Sequence, residues 1–262
     1  MGINIKFLGT GSVMGVPIWN CNCKVCKSTD KKDKRYRSSL LVNINDKNII
    51  IDFGQDFRNQ LIENDIKKID YAFLTHAHRD HMAGVENLAT AENIKLIIPE
   101  NVLEDFYQKE GSSKNWLKTR NKTLTIEKFN LLEIDNIKID TVKLEHKKDY
   151  GVKVPCYGYI FSNDVFKFAY MSDYNKILEV EKLKKCDLII SDGDGIDNVG
   201  HGHVGINGSI EIYNLLKPKK MILTHFKHDM CHKDMVNYVK QYGNIDIAYD
   251  GMEVEIPCEK IF

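Results

Sequence analysis

The sequence has no excess of either charge, no long apolar run and little proline. Its 262 residues include 37 basic and 37 acidic side chains and only five prolines. A balanced charge argues against a protein whose main task is to coat nucleic acid or lie on an anionic membrane, because both need a strong positive field. No apolar run approaches the roughly 18 residues of a membrane-spanning helix. Residues 3–8 also lack the charged and then apolar order of a secretion signal, so we expect a cytoplasmic protein with no membrane partner.

No linker, internal repeat or low-complexity tract divides the chain, so we predict one domain over residues 1–262. Strands are predicted at residues 3–8, 39–44, 48–52, 71–74, 95–98, 137–144, 157–161, 165–170, 188–191, 221–224 and 252–256, and helices at 56–64, 82–88, 177–183, 206–216 and 234–242. Strands with helices between and after them predict an α/β protein, in which two mixed sheets pack face to face with helices outside. Residues 101–122 are less regular and form either a surface excursion or a lid.

The cysteines are odd in number, and three of the seven lie close together at Cys21, Cys23 and Cys26. Such near neighbours fit disulfide geometry poorly, whereas thiolates in the order C-x-C-x-x-C can converge on one small ion. We therefore predict a metal site there, with an accidental or redox cluster as the alternative. The isolated cysteines are expected to be small buried apolar residues.

The most informative motif is H-A-H-R-D-H at residues 76–81, directly after a predicted strand. In a loop that leaves a strand, the alternate residues His76 and His78 can face one ion, while Asp80 and His81 turn toward a second ion. Neutral imidazoles and carboxylates suit Zn, Mn or Fe better than Ca or a purely soft-metal site. We therefore expect two divalent cations, with Mn or Zn as the first choices.

These six residues match the H-x-H-x-D-H signature of the metallo-β-lactamase superfamily, which the chain resembles. The resemblance implies an αββα sandwich of two mixed β-sheets flanked by helices, with two metals in a cleft at one sheet edge. It also implies further ligands at strand exits. By that carry-over, one metal is held by His76, His78 and His146, the other by Asp80, His81 and His225, and Asp173 bridges both. Asp80 is counted among the catalytic residues as well.

A closer resemblance joins segments from both ends of the chain. G-T-G-S at residues 9–12, the cysteine motif at 21–26, R-S-S at 37–39, T-H-F-K-H at 224–228 and D-G-M at 250–252 are similar to the phosphoribosyl 1,2-cyclic phosphate phosphodiesterases of the carbon–phosphorus lyase pathway. That family implies a structural zinc on the three cysteines and His228, a closed site that stabilises the fold. His232 and Cys231 are the competing fourth ligands.

The same resemblance implies a general acid just before the helix at residues 206–216. His203 occupies that place, and the alternative is that both His201 and His203 are surface loop residues. Asp52 is interpreted as a buried aspartate that braces the ligand loop rather than as a catalytic group.

The leading functional hypothesis is a dinuclear metal phosphodiesterase acting on a small cyclic or nucleotide phosphodiester, with phosphoribosyl 1,2-cyclic phosphate as the best candidate. The second is a tRNA-processing or other ribonuclease of the superfamily, disfavoured by the zero net charge and by the lack of a long Gly/Pro-rich arm. The third is a metal-binding protein without hydrolytic turnover, like the related protein B of pyrroloquinoline quinone biosynthesis, which shares the cysteine motif. A thioesterase or lactonase has low weight. No stable nucleic-acid partner is expected, and a homodimer stays open.

Overall fold

The computed structural model describes residues 2–110, 124–147, 152–197 and 202–257. Within these ranges the strands are β1 (Gly2–Gly9), β2 (Ser39–Ile44), β3 (Lys47–Ile51), β4 (Tyr71–Phe73), β5 (Ile94–Ile98), β6 (Leu124–Lys128), β7 (Leu132–Ile134), β8 (Ile137–Lys147), β9 (Lys153–Ser162), β10 (Lys167–Tyr170), β11 (Lys176–Ile177), β12 (Leu188–Asp192), β13 (Lys220–Thr224), β14 (Ile245–Ile247) and β15 (Glu253–Pro257). The α-helices are α1 (Phe57–Glu63), α2 (Arg79–Met82), α3 (Val85–Leu88), α4 (Glu100–Glu110), α5 (Gly205–Leu216) and α6 (His232–Val239).

The strands form two mixed sheets. The first has the order β15-β1-β2-β3-β4-β5-β6, and the second has the order β11-β8-β9-β10-β12-β13-β14 with β7 paired to β8. In each sheet an antiparallel half is followed by a parallel half, which begins at the β3–β4 pair and at the β10–β12 pair. Helices accompany the parallel halves. The predicted α/β sandwich of two mixed sheets is confirmed.

The core between the sheets follows from the alternation of side chains along each strand. In β3, Ile49 and Ile51 belong to the core shared by the two sheets, whereas Ile50 belongs to the layer under the outer helices. Phe73 of the first sheet stacks on Tyr159 of the second with ring centroids 5.0 Å apart. Such an aromatic pair contributes about 0.5–1.5 kcal/mol beyond its buried area.

Two helical layers cover the outer faces. Phe57, Val85 and Phe106 from α1, α3 and α4 pack on the first sheet, and Ile206 of α5 and Met235 of α6 pack on the second. No helix among the described residues is long and apolar enough to cross a membrane.

Two predictions about secondary structure need correction. Residues 177–183 were predicted to be helical, but Ile177 pairs with Leu144 in β11 and only Val180–Leu183 form a short 3-10 turn. The apolar spacing there reflects burial of Ile177 and Leu183 rather than a helical period. The first part of the irregular segment is helix α4, and its Lys109 donates a hydrogen bond to the carbonyl of Ala77. The rest of the segment that was considered as a lid, residues 111–122, lies outside the described residues.

Candidate metal centres

Asp173, three residues after the end of β10, lies at the centre of a cluster of histidines. Its Oδ1 atom is 3.3 Å from Nε2 of His81, and its Oδ2 atom is 3.2 Å from Nε2 of His225. The same Oδ2 is 3.8 Å from Nε2 of His76 and 4.0 Å from Nε2 of His146. The carboxylate is only 2% exposed. It therefore contacts members of both ligand sets that the sequence suggested.

The first set contains three imidazoles. His76 and His78 come from the loop after β4, and His146 comes from the end of β8; their candidate ligand atoms all lie within 4.8 Å of one another. His78 Nδ1 is 3.2 Å from His146 Nε2. Strand β4, which precedes His76 and His78, and strand β8, which carries His146, belong to different sheets. The contact between these histidines therefore forms only where the two sheets meet.

The second set contains Asp80, His81, Asp173 and His225, which are all buried and whose ligand atoms lie within 4.8 Å of one another. The short helix α2 begins directly after His78 and turns Asp80 and His81 away from the first set. Asp80 Oδ2 is 3.3 Å from His81 Nε2 and 3.9 Å from His225 Nε2. The structure thus separates the motif into two groups, as its spacing suggested.

The buried polar atoms of these sets fit divalent cations. Among the described residues, Nε2 of His76, of His81 and of His225 and Oδ1 of Asp173 have no hydrogen-bond partner. An unsatisfied buried polar group costs about 1–3 kcal/mol, so four that converge need an explanation. Imidazole nitrogens and carboxylate oxygens are ligands that Zn, Mn and Fe accept.

In His76, His81 and His146 the other ring nitrogen, Nδ1, is held by a hydrogen bond to the surrounding structure. Asp52 accepts hydrogen bonds from the backbone N–H of Thr75 at 2.9 Å and from His81 Nδ1 at 2.8 Å. The hydroxyl of Thr75 donates to Asp52 at 2.9 Å, so it accepts from His76 Nδ1 at 3.0 Å. His146 Nδ1 donates to the carbonyl of Gly202 at 2.8 Å. These bonds confirm the bracing role predicted for Asp52 and leave each Nε2 lone pair directed into the cluster.

Electrostatics differ between the two sets. Burial holds the pKa of His76 well below its usual range and lowers the pKa of His78 to about 3. Burial opposes the charged forms of His81 and His225, but the neighbouring carboxylates, of which Asp173 contributes most, together outweigh it and raise both pKa values well above the usual range. The first set therefore consists of neutral nitrogen donors, whereas the second is rich in carboxylate charge.

His203 lies beside both sets. Its Nδ1 donates a hydrogen bond to Asp192 at 2.9 Å, and its Nε2 is 3.3 Å from Asp194 Oδ2. The imidazole centroid is 5.1 Å from those of His146 and His225. Burial lowers the pKa of His203, but the charge and hydrogen bond of Asp192 outweigh burial and raise it. His203 is therefore no surface residue, whereas His201 lies outside the described residues.

Sequence reasoning missed the roles of Asp192 and Asp194. The available signal was S-D-G-D at residues 191–194, where a buried strand ends in two carboxylates. Asp192 is completely buried, and burial raises the pKa of Asp194.

The cysteine cluster is a second, separate group. Sγ atoms of Cys21, Cys23 and Cys26 lie 3.5, 3.4 and 3.5 Å from Nδ1 of His228. A tetrahedral zinc with Zn–S near 2.3 Å and Zn–N near 2.1 Å spaces sulfur and nitrogen roughly 3.6 Å apart. The backbone N–H of Cys26 donates to the sulfur of Cys23 and lowers the pKa of that thiol to about 6.

The two competing fourth ligands do not join this group. His232 places its ring 5.5 Å from that of Tyr249, and Cys231 lies in a small apolar cluster next to the site. The atoms that converge on one point, among the residues described, are those of the three cysteines and His228.

The segments that carried the closer resemblance meet near these sites. Asp250 accepts hydrogen bonds from the hydroxyl of Thr10 at 2.7 Å and from the backbone N–H of Tyr36. Phe226 N–H donates to the Thr10 carbonyl at 2.8 Å, and Ser12 N–H donates to the Phe226 carbonyl at 3.0 Å. The N-terminal loop, the strand end at residue 224 and the C-terminal turn thus hold one another in place.

A sandwich of two mixed sheets with clustered His and Asp side chains where strands end defines a metal-dependent hydrolase. The model of the beta-lactamase superfamily domain matches residues 47–226, and the chain belongs to the metallo-β-lactamase group of that superfamily. Among solved structures, a diphosphatase from the PhnP family is similar: 27% of residues are identical, the match covers 97% of this chain and 98% of that one, and the TM-score is 0.83.

Two curated relatives show how far the similarity extends. An octanoyltransferase of Porphyromonas gingivalis is 27% identical over 95% of this chain but only 51% of its own length. The chain thus spans about half of that relative. A ribonuclease Z of Alkaliphilus oremlandii is 20% identical over 97% of this chain and 98% of its own.

Proposed function

We propose that this chain is a dinuclear metal-dependent phosphodiesterase that hydrolyses a small cyclic or nucleotide phosphodiester. Phosphoribosyl 1,2-cyclic phosphate is the best candidate for the substrate. The observation that carries the proposal is the position of Asp173 between two ligand sets, with His203 beside both. The similarity to a diphosphatase of the PhnP family supports chemistry at phosphorus.

The grouping of the side chains supports a ligand assignment. His76, His78 and His146 would hold one cation, Asp80, His81 and His225 would hold the other, and Asp173 would be shared by both. When bound, two divalent cations, with Mn or Zn as the first candidates, activate a water and neutralise phosphate oxygens. Asp80 is also proposed to be catalytic, and its buried carboxylate lies 3.3 Å from His81 Nε2 within the second ligand set.

His203 is proposed to protonate the departing sugar oxygen. A sugar alkoxide is strongly basic, so the bond to phosphorus breaks more easily when a proton reaches the oxygen in the transition state. The hydrogen bond from Nδ1 to Asp192 leaves Nε2 of His203 as the nitrogen that donates. The raised pKa of this imidazole favours the protonated form that a general acid needs.

Cys21, Cys23, Cys26 and His228 are proposed to hold a structural zinc. Four ligands fill a tetrahedron and leave no open position for a substrate, so this ion would contribute to folding instead of chemistry.

A ribonuclease of the same superfamily is the second candidate. It is favoured by the ribonuclease Z whose whole length this chain matches. The zero net charge supports the small-substrate proposal, because the affinity of a protein for RNA phosphates comes largely from Lys and Arg side chains.

Metal analysis combined with turnover tests this function. Fully metallated protein should contain three metals per chain and hydrolyse bis(p-nitrophenyl) phosphate, and phosphoribosyl 1,2-cyclic phosphate should be a better substrate than a pre-tRNA. One metal per folded chain would contradict the dinuclear proposal. Faster cleavage of the pre-tRNA would favour the ribonuclease.

A further inference from the structure

The segment between strand β13 and helix α6, residues 225–231, carries one proposed ligand of each metal site. His225 belongs to the cleft and His228 to the cysteine site. His225 leaves the strand with a φ of 63°, a conformation that a non-glycine residue keeps only when its surroundings enforce it. The backbone of Phe226 pairs with the loop after β1, and residues 227–231 belong to no helix or strand. The positions of both histidines therefore depend on contacts from outside the segment.

One buried arginine supplies several of these contacts. Arg35 Nη1 donates a hydrogen bond to the Lys227 carbonyl at 2.5 Å, and Arg35 Nη2 donates to the Met230 carbonyl at 3.1 Å. The guanidinium carbon lies 5.6 Å from the ring centroid of Phe226, close enough for a cation–π contact. Arg35 thus holds the segment at three points, which enclose the proposed zinc ligand His228.

The charge of Arg35 is balanced by a second buried side chain. Asp33 Oδ1 is 3.4 Å from Arg35 Nη2, and the Asp33 and Arg35 side chains are 3% and 0% exposed. The same oxygen accepts a hydrogen bond from the backbone N–H of His232, the first residue of α6, at 2.6 Å. Replacement of a buried ion pair by apolar side chains is often neutral or stabilising, so packing alone does not account for this pair. Together the two side chains hold the segment up to the start of α6.

We propose that Arg35 is a positioning residue that fixes His225 for the cleft and His228 for the cysteine site through one backbone segment. This inference rests on the proposed function, which supplies the two ligand sets. A planar guanidinium donates in several fixed directions and can serve two carbonyls and a carboxylate together, whereas the ammonium group of lysine is a single compact point of donation. The backbone that Arg35 holds sets where each imidazole can reach. Its loss should therefore weaken both metal sites at once.

The test is a chelator titration of the cobalt-loaded protein. Thiolate-to-cobalt charge-transfer absorption reports the cysteine site, and total cobalt from elemental analysis gives the cleft occupancy by difference. Arg35→Ala should lower the cobalt affinity of both sites by roughly 10–100-fold, the range for groups that orient a metal ligand. Arg35→Lys keeps the charge and should fall between Arg35→Ala and wild type at both sites. Far-UV circular dichroism and thermal denaturation identify the folded protein in each sample.

Two control variants separate positioning from general stability. Arg37→Ala removes an arginine two residues away, which pairs instead with Asp56 at 3.0 Å, and it should leave both cobalt affinities unchanged. Ile44→Ala removes a buried side chain at the far end of β2 and should lower the thermal stability, because it leaves a cavity in the core. It should also leave both cobalt affinities unchanged.

The behaviour of the two sites together decides the inference. Weaker binding at both sites in folded Arg35→Lys, with both controls at wild-type affinity, supports it. Weaker binding at one site alone, or at neither, overturns it. An equal loss of affinity in Ile44→Ala also overturns it, since the effect would then be one of general stability. Absence of phosphodiester turnover in wild type with all cobalt sites filled contradicts the proposed function instead, and the inference about Arg35 stands apart from it.

Discussion

The two candidate metal sites are built on opposite plans. The cleft takes its ligands from the ends of β4, β8, β10 and β13, which belong to both sheets, and buries nearly all of them. The cysteine site takes three ligands from six consecutive residues, adds His228, and leaves Cys21 and Cys23 half-buried. The two sites are only three residues apart along the chain at their closest ligands, His225 and His228.

The difference shows what each site is suited to do. Three cleft histidines, His81, His76 and His146, are held through their second nitrogens by Asp52, Thr75 and Gly202, so their geometry exists before any ion binds. The cysteine loop contains few strands or helices of its own, and the ion itself would supply its closure. Loss of the cleft ions should therefore affect chemistry, whereas loss of the other ion should affect folding.

Removal of the central carboxylate should have the largest effect. Asp173→Ala deletes the group shared by both cleft sets, and it should reduce kcat/KM by roughly 10³-fold or more on every phosphodiester, since metal-based charge stabilisation is worth several kcal/mol. Steady-state kinetics together with elemental analysis measure this. Zinc on the cysteine site should persist. Activity within tenfold of wild type would show that Asp173 is not the bridge.

Removal of the proposed acid should have an effect that depends on the leaving group. His203→Ala should slow hydrolysis of a ribosyl cyclic phosphodiester by about 10²–10⁴-fold, yet slow bis(p-nitrophenyl) phosphate within about tenfold, because p-nitrophenolate leaves without protonation. His201→Ala is the matched control and should be nearly silent. Equal losses on both substrates, at wild-type metal content, would point to phosphate binding or metal support instead.

Disruption of the cysteine site should lower stability rather than chemistry. Cys23→Ser should reduce the free energy of unfolding by about 3 kcal/mol, in the range of mutations that remove a metal, and should reduce zinc content by one ion. Thermal denaturation and metal analysis check this, and the folded fraction should keep its cleft metals. Cys231→Ser, a neighbouring thiol outside the group, should retain all zinc. Loss of turnover in Cys23→Ser protein of unchanged thermal stability would reverse the assignment.

The smallest effect tests whether the ion or a surface ion pair ties the cysteine loop to the C-terminal half. Lys24 Nζ lies 3.0 Å from Asp234 Oδ2, and both side chains are well exposed. Lys24→Ala should therefore leave the free energy of unfolding nearly unchanged and leave zinc content unchanged, because exposed ion pairs contribute little. A loss as large as that of Cys23→Ser in chemical denaturation would mean that the ion pair, and not the metal, secures the loop.

Local pattern explains how much of this arrangement is predictable from sequence. Period-two apolar runs located most strands. The predictions missed β6, β7, β11 and β14, and of these β7, β11 and β14 have only two or three residues. The motifs at residues 21–26 and 76–81 are recognisable from sequence because each places at least three candidate metal ligands within six residues. The separation of the side chains at residues 76–81 into two sets is also local, since helix α2 starts between His78 and Asp80.

The sequence by itself therefore determined the two-sheet sandwich and the two dense motifs of candidate ligands, because short-range spacing decides both, and the resemblance carried by those motifs indicated the class of chemistry. Only the tertiary structure decided the long-range partners. His228 lies 207 residues from Cys21, and no local pattern distinguishes it from His232. Likewise, Arg35 belongs to a basic stretch of the kind that is usually exposed to solvent. It is nevertheless fully buried, and it donates hydrogen bonds to the carbonyls of Lys227 and Met230. Such contacts depend on how two sheets pack, and that packing is set by the whole core rather than by any single segment.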